Sequence, residues 1–219
     1  MRSATPLLFA AVATAGAAVS TCAPAGGVGG DAAPAPAVGR RAWSASLADT
    51  LRRLAREDQD GRADVARAVT AGDTAVLHRM ERADSARSRW LRAVVRVRGW
   101  PTRALVGDSA SQAAWLLLQH SPSYDFQREM LPRLEQAAAR GDLSRADLAL
   151  LTDRVLVHDG RPQRYGSQFA VAGGRLVADP IDDLPRLDTR RAAVGLPPMA
   201  EYVRMLGEFY KLPVTWPPA

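Results

Sequence analysis

The sequence of 219 residues contains one cysteine, Cys22, and three histidines. A single cysteine excludes an intramolecular disulfide, and so few sulfur and imidazole ligands argue against a structural zinc site. The chain also lacks a phosphate-binding glycine loop, a dinucleotide-binding fingerprint and a Gly-x-Ser-x-Gly motif. We therefore expect no bound metal and no organic cofactor. A metal bound by carboxylates alone is the one alternative that these absences leave open.

Lysine is nearly absent, because Lys211 is the one lysine among 29 basic residues. The net charge of +6 raises the question of a nucleic-acid partner, but the arginines alternate with acids as they do on solvated helix faces. A basic stripe, formed by Arg87, Arg89, Arg92, Arg96 and Arg98, has spacings that spread it round a helix. It has no aromatic interleaving that would mark a stacking platform. We therefore expect no nucleic-acid partner.

Residues 1–22 have a charged start and a short apolar core that is too short to span a bilayer. The core ends at Ser20-Thr21-Cys22, which resembles the lipoprotein signal in which the cysteine becomes the lipidated N-terminus. Thr21 stands where a smaller residue is usual, and ordinary cleavage after Ala25 is the alternative. A lone cysteine at this position favours lipidation, so residues 1–22 are predicted as a lipoprotein-type signal peptide.

Residues 23–41 are rich in alanine, glycine and proline and show no periodicity, which is typical of a flexible tether. An acylated cysteine on such a tether holds a soluble domain at a membrane surface. The chain is therefore predicted to be exported to the cell envelope and anchored to a membrane by lipid.

Residues 42–212 show helical periodicity, which predicts one mainly α-helical domain of about six or seven helices with one small β-hairpin. The first helix is expected to end near Gly61, with a separate helical turn from Asp64 to Val69. Residues 213–219 are predicted to form a loose tail. The other predicted elements are helices at Asp73–Val97, around Trp115 with Asp108 or Ser109 as cap, Tyr124–Arg140, Ser144–Val157, Asp188–Val194 and Met199–Tyr210, and a hairpin of Gln163–Val171 with Arg175–Ala178.

Several short strings occur in a fixed order along the domain. They include Glu57-Asp58-Gln59 with Arg62, Trp115-Leu116-Leu117 with Gln119-His120, Phe126-Gln127, Leu151-Thr152-Asp153-Arg154-Val155, Gln163 with Tyr165-Gly166 and Gln168, and Pro180-Ile181-Asp182-Asp183. Together they resemble the bacterial domain-of-unknown-function family 6624 over roughly Leu51 to Tyr202. The resemblance implies no particular activity, because the family has none established.

His120 is the first candidate for chemistry, because it follows an apolar helix whose dipole favours the cationic imidazole. It is either a general acid/base or a cap that donates to the last carbonyls of that helix. Asp153 and Arg154 lie within another apolar helix, so one of them is expected to face inward. That residue is either a ligand contact or part of a buried ion pair, such as Arg154 with Glu57 or Asp58.

The predicted strand from Gln163 carries a further polar set. Gln163 and Tyr165 would share one face of that strand and Gln168 would lie on the other, unless Gly166 marks a bulge that resets the alternation.

Two hypotheses follow from these residues. In the first, the domain is hydrolase-like, with His120, Asp153 and Glu57 as catalytic residues, and His120 bonds to Asp153, Glu57 or Tyr165 across a cleft. In the second, the domain binds a small molecule or a protein partner without turnover. The sequence slightly favours a catalytic or ligand-binding cleft over a pure scaffold. The residues predicted to contact the ligand are Asp58, Gln59, Arg62, Gln119, Gln127, Arg154, Gln163, Tyr165 and Gln168.

Overall fold

The structure is a computed structural model that describes residues 45–217, so the predicted leader, the tether and Cys22 lie outside the described residues. The domain is mainly α-helical, as predicted, with one small sheet in its C-terminal part. None of the described helices is long and apolar enough to cross a membrane. The helices are α1 Ala45–Ala71, α2 Thr74–Arg98, α3 Arg103–Val106, α4 Asp108–Gln119, α5 Tyr124–Ala139, α6 Arg145–His158, α7 Leu187–Ala193 and α8 Met199–Tyr210, and the strands are β1 Phe169–Ala172, β2 Arg175–Ala178 and β3 Val214–Thr215.

The first helix does not end at Gly61, which corrects the prediction of two shorter elements. α1 continues through this glycine to Ala71. A Cβ atom at residue 61 would lie 3.0 Å from Sδ of Met80 on α2. Gly61 therefore allows the close approach of α1 and α2. From the sequence alone, a glycine with this tertiary role cannot be distinguished from one that ends a helix.

The predicted N-cap residues of α2 and α6 are confirmed. The Asp73 carboxylate accepts the N–H groups of Ala75 and Val76, and the Ser144 hydroxyl accepts the N–H of Asp147. The predicted cap of α4 was wrong, because Asp108 lies in the first turn after Gly107 and pairs with Arg103.

Two apolar cores organise the domain. The larger core lies between the N-terminal helices α1 to α6, where Leu51, Leu91, Leu118, Phe126 and Leu151 are fully buried. The smaller core joins the sheet to α7 and α8. Its buried members are Phe169, Leu176, Ala178, Leu187, Met199, Tyr202, Leu206 and Tyr210.

The sheet differs from the predicted hairpin at both ends. β1 and β2 pair antiparallel across the Gly173-Gly174 turn, but β1 begins only at Phe169, and Gln163 makes an isolated bridge to Ile181. The tail predicted to be loose provides β3, which pairs parallel to β2 with Leu176 opposite Val214. This pairing is non-local, and the two-residue strand has no periodicity of its own.

Candidate functional site

Asp58 is a fully buried carboxylate on α1 that accepts hydrogen bonds through both oxygens. Its Oδ2 atom lies 2.7 Å from His120 Nδ1 and accepts from Gln59 Nε2 at 2.9 Å. Its Oδ1 atom accepts from Arg62 Nη2 at 2.9 Å. These bonds join the middle of α1 to the C-terminal end of α4.

Helix α2 completes this cluster with Asp84 and Arg87, which are not among the predicted site residues. Arg62 Nη2 also donates to Asp84 Oδ2 at 2.9 Å, and Arg87 Nη1 donates to Asp84 Oδ1 at 3.0 Å. Arg87 lies 3.7 Å from Asp58 Oδ1. Two carboxylates and two guanidinium groups therefore balance in charge around His120. The Asp58 cluster is defined as Asp58, Arg62, Asp84, Arg87 and His120.

The sequence held a signal for Asp84. The buried face of α2 consists of Met80, Asp84, Ser88, Leu91 and Val95, at helical spacings of four, four, three and four. An acid on the buried stripe of a helix needs a partner, because an unpaired buried charge is strongly unfavourable. Its partners are Arg87 on the same helix and Arg62 on α1, and no local pattern identifies Arg62.

The electrostatics of the cluster fix the protonation state of His120. Burial and the nearby charge of Arg62 lower the pKa of His120 to about 4, against the opposing effect of Asp58. Despite its burial, Asp58 has a pKa held well below its usual range by His120 and Arg62. At neutral pH, His120 is therefore uncharged and its Nδ1–H donates to the Asp58 carboxylate. Its Nε2 atom is buried and has no hydrogen-bond partner among the described residues.

The pKa of Asp84 shifts in the opposite direction to that of Asp58. Burial, helped by the charge of Asp58, raises the pKa of Asp84 to about 6, although Arg62 and Arg87 oppose this shift. Within residues 45–217, no group of three or more His, Cys, Asp or Glu side chains is placed to hold a metal ion.

Asp153 does not hydrogen-bond to His120, which was one of the three contacts that the hydrolase hypothesis allowed. Its Oδ1 atom accepts the backbone N–H groups of Arg164 and Tyr165 at 2.7 and 3.0 Å, and its Oδ2 atom accepts that of Ser167 at 3.0 Å. Burial raises the pKa of Asp153, and these backbone donors oppose the rise. Asp153 therefore holds the loop that follows α6.

Gln163, Tyr165 and Gln168 belong to this same loop and not to a strand, which corrects the predicted alternation of faces. The Gln163 side chain donates to the Gln168 carbonyl at 2.9 Å and accepts the Gln168 N–H at 2.7 Å. The Tyr165 carbonyl accepts from Arg191 Nη1 at 2.5 Å. Gly166 has a φ of 69°, and a Cβ there would lie 3.0 Å from Ile181, so the glycine permits a tight turn, not a bulge.

His120 occupies the C-cap position of α4, where its backbone N–H donates to the Leu116 carbonyl at 3.0 Å. The side-chain donor to the last carbonyls, however, is Gln127 and not the His120 ring. Gln127 Nε2 donates to the carbonyls of Leu118, Gln119 and Ser121 at 3.0, 3.2 and 3.0 Å. Gln119 and Gln127 are buried, and their Oε1 atoms have no hydrogen-bond partner in the described part of the chain. The His120 ring is thereby left to bond to Asp58.

Arg154 and Glu57 occupy contrasting positions. Arg154 is buried, and burial lowers its pKa to about 10, with electrostatic contributions from Tyr124 and Arg62. Glu57 has a half-exposed side chain that pairs with Arg53 on the same helix at 2.7 Å. Glu57 therefore lies apart from the Asp58 cluster and from the Asp153 loop.

A cleft of about 750 Å³ lies between α1, α4, α6 and the segment that leads into α8. Of the predicted site residues, Gln59 lines this cleft, whereas His120, Asp153 and Glu57 are not among its lining residues. Gln59 also belongs to the hydrogen-bond shell of Asp58, so it connects the cleft to the cluster. The apolar lining is Ala55, Ala113, Trp115, Leu116, Ala146, Leu150, Leu196, Pro197 and Tyr202, and the polar lining is Arg52, Arg56, Gln59, Asp60, Ser109, Gln112 and Asp147.

A family profile matches the chain over residues 45–215, which is nearly the whole of the described structure. The chain belongs to the family of unknown function DUF6624. This confirms the resemblance drawn from the short strings. No curated protein and no solved structure matches the chain.

The strings that carried the DUF6624 resemblance lie in three places in the structure. Glu57-Asp58-Gln59 and Gln119-His120 meet at or beside the Asp58 cluster. Asp153 meets the loop from Gln163 to Gln168. Trp115 and Leu116 line the cleft. In this DUF6624 chain, the polar residues of these strings mostly hydrogen-bond to one another. The cleft is the open concavity that lies among them.

Proposed function

We propose that this DUF6624 protein is a lipid-anchored, extracytoplasmic domain of the cell envelope that binds a small amphipathic molecule in its cleft without turnover. The observation that carries the proposal is the cleft of about 750 Å³, which has a mostly apolar lining with several polar side chains. Ligand sites in proteins have this range of volume and this composition. The anchor rests on the Cys22 signal and the tether in the sequence.

The chemistry of the walls indicates the class of ligand. Trp115, Leu116 and Leu150 offer apolar surface from α4 and α6, so they favour an apolar body. At the polar side, Gln59 and Arg56 offer hydrogen bonds from α1. Arg56 is exposed and has no ion pair or hydrogen bond with the described residues. A molecule with one apolar part and one acidic or carbonyl-bearing part fits this arrangement.

The Asp58 cluster supports such a site indirectly. Gln59 donates its amide N–H to Asp58 at 2.9 Å, and this bond restricts the Gln59 rotamer. The side-chain amide oxygen of Gln59, Oε1, accepts no hydrogen bond from the described residues and is available to a ligand. Because a side chain fixed before binding loses less entropy on binding, this arrangement favours affinity.

Three observations argue against the catalytic role that the sequence suggested. The His120 side chain is 2% exposed and lies away from the cleft lining. Both oxygens of Asp153 accept backbone N–H groups, and Glu57 pairs with Arg53. The proposal therefore assigns His120 and Asp153 to the scaffold.

Acid/base catalysis by His120 is the second candidate, and one observation favours it. The Nε2 atom carries a lone pair at neutral pH and has no hydrogen-bond partner among the described residues. The bond of Nδ1 to Asp58 orients the ring as it is oriented in acid/base dyads. This candidate requires a substrate to reach a ring that is almost fully buried.

A titration with the amphipathic dye 1-anilinonaphthalene-8-sulfonate tests the cleft. We expect the wild-type protein to bind the dye and the Ala146→Trp variant to bind it at least about tenfold more weakly, since the indole fills the cleft from α6. Ala139→Trp is the matched control, because Ala139 is exposed at the end of α5 and is not among the cleft-lining residues. Equal dissociation constants for the two variants would contradict the proposal.

A further inference from the structure

A second concavity, of about 570 Å³, lies between α2 and α5 and is lined mainly by arginines. Arg89, Arg92 and Arg96 come from α2, and Arg133 comes from α5. Glu129 is the one acidic residue among the lining residues. We call this concavity the basic groove.

The charges in the basic groove are largely uncompensated. Arg92 pairs with Glu129 at 2.9 Å, and its guanidinium lies 5.4 Å from the centre of the Phe126 ring. Arg89, Arg96 and Arg133 are exposed and have no ion pair or hydrogen bond with any described residue. Three positive charges therefore converge on one concave surface, where the field attracts anions.

The basic stripe is divided between two sides of α2, in keeping with the spacing that spreads it round the helix. Arg89, Arg92 and Arg96 follow a spacing of three and four residues and line one groove. Arg87 points to the interior, where it binds Asp84. One arginine of the stripe is therefore structural, and three line the external groove.

An exposed apolar residue lies beside the arginines. Val97 is 74% exposed, whereas the next most exposed large apolar side chains of the described residues, Leu184 and Phe209, are each 39% exposed. Val97 and Trp90 line a shallow depression between α1 and α2, and Ala93 lines both this depression and the basic groove. Basic and apolar surfaces are therefore adjacent on α2.

We propose that the basic groove and Val97 dock the domain on anionic phospholipids, with the arginines on headgroup phosphates and Val97 at the headgroup boundary. Basic residues beside exposed apolar residues are typical of interfacial membrane contacts. A groove for single-stranded nucleic acid would instead interleave exposed aromatic rings with the basic residues. The choice of a membrane as partner rests on the proposed lipid anchor, and the surface itself is separate from the cleft.

Docking by this surface would fix the orientation of the domain. A tether alone leaves the domain free to rotate, whereas a second contact with the same membrane increases avidity through a high effective concentration. A lipid chain and a basic patch together also give stable attachment where one chain alone is reversible.

Vesicle sedimentation of the full-length protein purified from membranes tests this proposal. We would compare wild type, the triple variant Arg89→Gln/Arg96→Gln/Arg133→Gln and the control Arg140→Gln/Arg186→Gln/Arg204→Gln. The control removes the same charge from exposed positions that do not line the basic groove. Each protein would be mixed with vesicles of phosphatidylcholine alone and with vesicles that also contain phosphatidylglycerol.

We expect all three proteins to bind equally to phosphatidylcholine vesicles, because that binding depends on the anchor. On phosphatidylglycerol vesicles, the groove variant should partition on the order of 100-fold more weakly than wild type, while the control stays close to wild type. Added salt should abolish the difference. Equal binding by the groove variant and the control would overturn the proposal.

Tighter binding of wild type to a double-stranded oligonucleotide than to phosphatidylglycerol vesicles would also overturn it. Failure of the anchor would appear separately, as absent binding to phosphatidylcholine vesicles. Dye binding in the cleft should be unchanged in the groove variant, so the two proposals fail independently. A matching thermal unfolding curve for the groove variant confirms that its exposed substitutions leave the fold intact.

Discussion

His120 Nδ1 lies 2.7 Å from Asp58 Oδ2, so a histidine at the end of α4 and an aspartate in the middle of α1 form a buried pair. In an exposed cleft this pair would be a candidate acid/base dyad. Here both side chains are almost inaccessible, and arginines from α1 and α2 surround the carboxylate. The pair therefore joins α1 to α4, and the Asp58 cluster as a whole holds α2 to them, because breaking a buried ionic network leaves an uncompensated charge.

Replacing His120 with alanine should destabilise the protein by about 2–4 kcal/mol, because the variant leaves Asp58 without one of its donors and opens a void. The His120→Asn variant should recover part of this loss, since its amide N–H can replace Nδ1–H. The free energy of unfolding in urea measures both effects. His78→Asn, at an exposed histidine, is the control and should have no effect. Unchanged stability of His120→Ala would mean that the pair is not structural.

The lowered pKa of His120 predicts a dependence of stability on pH. Because the folded pKa is about 4 and the ordinary value is 6.5, the folded state resists protonation. The contribution of His120 is therefore fully present above pH 6.5 and is lost as the pH falls toward 4. Wild type should lose ~3 kcal/mol of stability relative to His120→Asn over this range, which is enough to remove or reverse the difference seen at neutral pH. A difference that stays constant with pH would show that His120 titrates normally.

Asp153→Ala should loosen the loop after α6, since three backbone donors, at Arg164, Tyr165 and Ser167, lose their acceptor. We expect a loss of about 3 kcal/mol and faster tryptic cleavage after Arg164, which is exposed. Asp125→Ala removes an exposed carboxylate and should leave both measurements unchanged. If cleavage after Arg164 is equally slow in both variants, Asp153 does not hold the loop.

Cys22→Ser should move the protein from the detergent phase to the aqueous phase in a phase-partition experiment. The expected cause is the loss of the acyl chains that would attach at Cys22. The measurement is the fraction of protein in each phase, with wild type as reference. Wild-type protein that already partitions into water would show that the lipoprotein prediction is wrong.

The local elements were predictable because their signals lie within a few residues. α8 begins at Met199 and ends at Tyr210, as predicted from the prolines before it and its periodicity. The N-termini of α2 and α6 followed from Asp73 and Ser144. These signals do not depend on the tertiary structure.

The elements that were mispredicted depend on contacts far away in the chain. Gly61 is a packing residue opposite Met80, and β3 exists because Leu176 pairs with Val214. At the candidate site, it was easier to predict which residues take part than which residues they bond to. Asp58, Arg62 and His120 were all selected, but the bond between Asp58 and His120 spans 62 positions, and Asp153 was assigned to chemistry although it caps a loop.

Dye affinity measured in parallel for Ala146→Trp and His120→Asn tests the central claim most directly. We expect Ala146→Trp to weaken binding of 1-anilinonaphthalene-8-sulfonate at least about tenfold, because residue 146 lines the cleft. His120→Asn should keep an affinity close to wild type, since His120 is buried apart from the cleft lining. Loss of binding in His120→Asn with full binding in Ala146→Trp would contradict the account and return His120 to the centre of the function.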